Sequence, residues 1–117
     1  TLDYFTIDPR LGDDDDFDHL LQAAHVRGLS VLLDGVVNHV SRRNRIVQDA
    51  QSAGPDSRAG RMVRWCEGHL DVFEGHSLVA LNHDNPAVRE HVTRIMNYWC
   101  GRGVDGWRLD AAYSVNP

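Results

Sequence analysis

The sequence predicts an α/β fold built on parallel strands, and three observations carry that prediction. Two segments of strand character, "LSVLLDGVV" (Leu29 to Val37) and "VDGWRL" (Val104 to Leu109), each follow a segment whose apolar residues recur at helical spacing. Glycines mark both helix-to-strand passages. A long irregular stretch then separates the first strand from the second helix. Strands alternating with helices of this length form right-handed βαβ units on a parallel sheet. A barrel and a doubly wound sheet both satisfy the pattern.

The first helix is predicted from Asp16, because Phe17, Leu20, Leu21 and Ala24 fall at i, i+3, i+4 and i+7 on one face, and Gly28 stops it. The four aspartates Asp13 to Asp16 resemble a metal cluster in composition. Carboxylates at a helix start are stabilised by the macrodipole by roughly 0.3 to 1 kcal/mol each, which favours a structural reading over a cation site. The run Leu29 to Val37 is continuously β-branched and aliphatic, the pattern of a strand buried on both faces, and it ends at Asn38 and His39.

From Val40 to about Asp84 there are glycines, polar clusters such as "QSAGPDSRAGR" and scattered aromatics. The length exceeds an ordinary connection, so a small excursion with its own partial structure is expected. "EGH" occurs at Glu67 and at Glu74 without making a repeat, and His69 and His76 are read as loop hydrogen-bonding residues. Order resumes at "NPAVREHVTRIMNYWCGRG", where Asn85 is an N-cap and Pro86 the first helical residue. Val88, Val92, Ile95, Met96 and Trp99 form a core stripe, until Gly101 or Gly103 ends the run.

Composition excludes several classes. A net charge of −5 argues against nucleic acid as a partner, and the one basic cluster, "SRRNR" (Ser41 to Arg45), is short and reads as a solvated loop. No apolar run reaches the length of a membrane span. Cys66 and Cys100 lack metal-type spacing and read as isolated core thiols of a reducing compartment, hence a cytoplasmic location, with a single bridge left open. A nucleotide-binding domain would need a Gly-rich phosphate loop between strand and helix, which the sequence lacks. Oligomeric state is not legible here.

In either parallel architecture ligands gather at the carboxyl ends of the strands, and the residues there are His39 and Asp110. Arg108 and Asp110 alternate on one strand, so their side chains share a face. A buried arginine beside an aspartate favours the ionised carboxylate, which a carboxylate nucleophile requires. A structural ion pair at a barrel end satisfies the same spacing.

"DGVVNH" (Asp34 to His39) and "GWRLDAA" (Gly106 to Ala112) together resemble two signature segments of the α-amylase family of glycoside hydrolases. Either alone is a modest match; their order, each ending a strand with an irregular insertion between them, makes the pair specific. "DYFTIDPRLGDDDDFDHLLQAAHVRGL" resembles that family's passage from its second barrel strand into the next helix. "LVALNHDNPAVREHV" resembles the end of its inserted B domain and the following helix. The resemblance covers essentially the whole chain.

It implies a partial TIM (β/α)8 barrel, from about the end of strand 2 through strand 4, with a short inserted B domain. The divisions would be 1–39 for the first barrel segment, 40–84 for the excursion and 85–117 for the second barrel segment. It also implies a retaining enzyme acting on an α-glucoside or α-glucan, by hydrolysis or transfer. Asp110 would be the nucleophile, Arg108 would hold it ionised and oriented, and His39 would hydrogen-bond the sugar beside the scissile bond. Asp34 and Asn38 would be supporting residues.

Such chemistry needs a second carboxyl group about 5 to 5.5 Å from the nucleophile. In the family that glutamate follows the fifth strand, and Glu67, Glu74 and Glu90 do not match its position. An eight-stranded barrel takes about 250 residues, so these 117 are expected to be inactive by themselves. A noncatalytic sugar-binding or assembly role is the alternative. Ala80 stands where calcium-binding relatives carry a carboxylate, so bound calcium is not expected and no cofactor is implied. The short insertion favours α-glucosidase-like, trehalose-synthase-like or sucrose-acting relatives.

Overall fold

The computed structural model describes residues 1–73 and 77–115. The expectations placed on Glu74 and His76 lie outside the described residues.

Helix α1 (Asp14–Val26) begins two residues before the predicted start because Asp13 caps it. The Asp13 carboxylate accepts from the Asp16 amide at 3.0 Å, and the Asp16 carboxylate accepts from the Asp13 amide at 3.1 Å, a reciprocal capping box. The acidic run is thus the helix start. Gly28, at φ 71°, takes the left-handed turn that ends the helix. Strand β1 (Leu32–Gly35) follows, then β2 (His39–Ser41). The excursion contains helix α2 (Arg45–Ala53), a 3-10 turn at Gly60–Met62, the hairpin strands β3 (Trp65–Cys66) and β4 (His69–Leu70), and β5 (Leu78–Ala80). Helix α3 (Pro86–Gly101), capped by Asn85, leads into β6 (Gly106–Leu109).

β1 and β6 pair in parallel, with Leu33 opposite Trp107 and Asp34 opposite Arg108. Asp105 sets this register: its carboxylate accepts from the Val31 amide at 2.7 Å and lies 2.8 Å from His25 Nε2. β2 and β5 are antiparallel, as are β3 and β4. The β3–β4 turn, Glu67 at φ 50° and Gly68 at φ 80°, has positive φ at both central residues, the geometry that matches strand twist in a two-residue hairpin.

Two apolar clusters hold these pieces. Val40, Val47, Ala50, Val63, Val79, Leu81 and Val88 form the core of the excursion. Leu21, Ile95, Trp99 and Val104 form a second cluster beneath the parallel strands, with Val31, Leu33 and Trp107 packed on it. Helix α3 enters both, and Tyr4 packs against both. Arg102 clamps α1 to the end of α3, reaching Asp14 at 2.6 Å and Asp18 at 2.7 Å while lying over the Phe17 and Trp99 rings.

Several sequence expectations are corrected. The strand from Leu29 to Val37 is not covered on both faces: Val31 and Leu33 pack against the helices, whereas Leu32 on the other face is 61% exposed. Side-chain alternation puts Asp34, Gly106 and Arg108 on that same open face. The strand also ends at Gly35 rather than at Asn38 and His39, and His39 opens the antiparallel β2, because β6 offers no partner beyond Leu109. Leu20 is exposed, as the buried face of α1 narrows to Leu21 flanked by Phe17 and Ala24. "SRRNR" is not a solvated loop: Ser41 ends β2, buried Asn44 caps α2, and Arg45 is its first residue. Cys66 and Cys100 are exposed thiols, not core ones, one at the hairpin tip and one on the outward face of α3. Among the described residues no helix is long and apolar enough to cross a membrane.

Candidate active site

The open face of the parallel pair ends in three charged side chains. Asp34 and Arg108 are register partners, so their side chains rise from adjacent backbones on the same face. Arg108 Nη1 donates to Asp34 Oδ1 at 3.0 Å and lies 3.2 Å from Asp110 Oδ1. One guanidinium therefore bridges two carboxylates, and the cluster carries one net negative charge. Hydrogen bonding to Asp34, then the charges of Asp34 and Asp110, raises the Arg108 pKa above its ordinary value.

Asp110 is fixed by its backbone as well. Its amide donates to the Gly35 carbonyl at 3.2 Å, tying it to the end of β1. Ala111 then takes left-handed geometry, φ 48° and ψ 36°, which costs a residue with a Cβ roughly 1 kcal/mol. This abrupt turn ends β6 and leaves Asp110 at the rim, with the following 3-10 turn bringing Ser114 against the excursion.

The excursion carries a second group of residues, which meets the turn after Asp110 at Ser114. His39 is buried, its ring stacks on Phe73 at 4.4 Å and 16°, and its Nδ1 lies 3.3 Å from Asn38 Nδ2. A pocket of about 360 Å³ lies here, lined by Asn38, Arg64, Asp71, Val72, Phe73, Ala80 and Ser114. Its donor set does not suit a hard cation. Asp71, its one carboxylate, faces the Arg64 guanidinium at 3.3 Å, and Ala80 contributes no oxygen from its side chain. Among the described residues no three His, Cys, Asp or Glu side chains converge on a point where a metal ion could be held.

Of the sequence-derived site residues, the structure brings Arg108, Asp110 and Asp34 into contact and sets Asn38 beside His39. Arg108 is exposed rather than buried, with 61% of its side chain accessible, because the strand face it stands on is uncovered. Asp34 proves to be a direct partner of Arg108, and Phe73 the ring that fixes His39. The first follows from strand register; the second depends on a fold-back of the excursion that no periodicity signals. Glu67 sits in the hairpin turn, and Glu90 lines a groove with Ile46, Arg58 and Met62 on the excursion side of α3, so neither joins the charged cluster. His69, expected to hydrogen-bond within its loop, makes no side-chain hydrogen bond to a described residue.

A parallel strand pair joined through an irregular excursion and a helix, with an arginine and two aspartates at its carboxyl end, is the arrangement of a barrel-type α/β protein. The family model for the alpha amylase catalytic domain matches residues 1–71 and 65–117, and the chain belongs to the alpha-amylase family. Alpha-amylase 3 of Dictyoglomus thermophilum is 35% identical over 127 aligned positions, covering 97% of this chain and 26% of that protein. The intracellular maltogenic amylase of Bacillus subtilis is 36% identical over 126 positions, covering 99% of this chain and 21% of its own length. Among solved structures, the cyclic α-maltosyl-(1→6)-maltose hydrolase of Arthrobacter globiformis superimposes with a TM-score of 0.88 at 31% identity, covering 99% of this chain and 28% of that one. The same hydrolase has also been solved in complex with maltose. The chain thus spans about a quarter of the length of the relatives it matches, and its fold is part of the (β/α)8 barrel of this family.

Proposed function

We propose that this chain supplies the nucleophile side of a retaining active site that acts on an α-glucoside or α-glucan, with Asp110 attacking the anomeric carbon. The observation that carries the reading is the 3.2 Å contact between Arg108 and Asp110 at the strand end. A carboxylate nucleophile must stay ionised and hold one oxygen toward the sugar, and a guanidinium beside the other oxygen serves both needs. Asp34 shares that guanidinium and braces it from the neighbouring strand. His39, oriented by Phe73 and Asn38, hydrogen-bonds a sugar hydroxyl beside the scissile bond.

Attack by Asp110 displaces the leaving oxygen and forms a glycosyl ester. A second carboxyl group protonates that oxygen and later activates water or an acceptor hydroxyl. Glu67 lies in the hairpin turn and Glu90 in the groove on the excursion side of α3, which supports the reading that this second carboxyl group is supplied from elsewhere in the barrel. Residues 1–39 and 85–117 act as barrel segments and 40–84 as the inserted domain. The protein works in the cytoplasm, a reading supported by the similarity to an amylase named as intracellular.

The test uses an enzyme containing these residues and a 5-fluoro-α-glucosyl fluoride, whose glycosyl ester hydrolyses slowly enough to isolate. Peptide mapping should find the label on Asp110, and Asp110→Asn should lower turnover by on the order of 10⁴-fold. Labelling of another carboxylate overturns the assignment.

A further inference from the structure

We infer that the outer face of the excursion hairpin holds a second sugar site, one that takes a glucosyl unit of an α-glucan away from the charged strand end. Arg42, Gln51, Trp65, Gly68, His69 and Leu70 line a pocket of about 290 Å³ that shares no residue with the pocket beside His39. Strand alternation explains the separation. Arg64 and Asp71 line the inner pocket, so their neighbours Trp65 and Leu70 point to the opposite side of the hairpin.

The chemistry of the lining suits a neutral pyranose. Such a ring presents apolar C–H faces edged by hydroxyl groups, and it needs a flat apolar surface flanked by donors and acceptors. Trp65 and Leu70 are half-buried against the core of the excursion, the indole held by the hydrogen bond from its Nε1 to the Gly60 carbonyl at 2.8 Å, and the parts they leave accessible line the pocket as its apolar surface. Arg42, Gln51 and His69 ring it, and none has a side-chain hydrogen bond or ion pair with a described residue. Gly68 stands at the edge of the pocket facing open space, with nothing within 4 Å of where its Cβ would stand. The guanidinium and imidazole can donate, and the carboxamide can both donate and accept.

The choice of an α-glucan rests on the function proposed above, and the experiment separates the two. The intact protein containing these residues, made Asp110→Asn to stop turnover, is titrated with maltotriose and followed by hydrogen exchange with peptide resolution. Protection is expected in peptides spanning 64–71 and 106–115. Combining Arg42→Ala with Gln51→Ala, both exposed positions, should raise the maltotriose concentration for half-protection of 64–71 by about tenfold and leave 106–115 unchanged. Protection of 106–115 alone, protection of 64–71 that ignores the double substitution, or no protection at either place overturns the second site. Protection of 64–71 alone, lost in the double variant, supports it and overturns the strand-end reading.

Discussion

Asp34 and Arg108 stand opposite each other in the parallel register of β1 and β6, and the guanidinium nitrogen that meets Asp34 at 3.0 Å also meets Asp110. The arginine beside Asp110, the proposed nucleophile, is therefore held from a second strand. Exposed ion pairs contribute little to stability, so removing this one should be felt in chemistry rather than in folding. Asp34→Asn in an active enzyme should lower kcat while leaving KM for the sugar nearly unchanged, and the thermal midpoint of the chain should stay close to that of the parent. A large drop in midpoint with normal kcat would make the cluster a structural plug. Arg108→Lys should lose more activity than Asp34→Asn, because a flexible, strongly hydrated ammonium does not hold the fixed donor position that Nη1 keeps between the two carboxylates.

Gly60 gives a test of the excursion's packing. A Cβ there would lie 2.0 Å from the Gly54 carbonyl oxygen and 2.8 Å from its carbon, both backbone atoms. Neither can swing aside as a flexible side chain does. Gly60→Ala should cost about 1 to 3 kcal/mol, read as a lower urea midpoint at unchanged slope. Gly54 itself, at φ 83°, has open space around its Cβ position, so Gly54→Ala would report backbone strain without a clash.

Tyr4 links the two clusters and predicts an alkaline transition. Its hydroxyl donates to the Val36 carbonyl at 2.7 Å, and its own carbonyl accepts from Trp99 Nε1 at 2.8 Å. Burial pushes the phenol up to about 12 from an ordinary 10.0. The folded state thus keeps the proton that the unfolded chain loses first. The resulting stability is complete below pH 10 and declines as pH rises toward 12, by about 2 to 3 kcal/mol in all. Tyr4→Phe should remove this alkaline loss from the stability profile measured between pH 9 and 12, at the expense of one hydrogen bond, about 1 kcal/mol, at neutral pH.

Much of this architecture could be read from local chemistry. The α1 and α3 caps use Asp13 and Asn85, residues whose side chains satisfy helix amides wherever they stand before a periodic run. Pairing of Arg108 with Asp110 follows from alternation alone. Helix α2 escaped notice because it buries only Val47 and Ala50, and its cap Asn44 also holds the N-terminal segment, donating to the Leu2 carbonyl at 3.0 Å. That bond links residues 42 positions apart, beyond the reach of any window. The apolar run at β1 suggested two covered faces, but covering Leu32 requires a neighbour that periodicity does not supply.

His91, on α3, carries the last prediction. Arg94 Nη2 donates to its Nδ1 at 3.5 Å, so the neutral ring keeps its proton on Nε2, which is buried without a hydrogen-bond partner among the described residues. Tyr4 and Phe5 meet the ring edge-on at 6.0 and 6.1 Å. Desolvation, and next the charge of Arg94, lower its pKa. The unfolded chain therefore takes up the proton first as pH falls, and the stability present above about pH 6.5 is lost on descending through the folded value. His91→Phe keeps the aromatic contacts while removing both the orphan N–H and the titration. Urea midpoints at pH 7.5 and pH 5 should show the parent losing stability between them and the variant losing less, with the variant the more stable of the two at pH 5. Equal losses in both proteins would mean that His91 finds an acceptor and takes its proton without penalty.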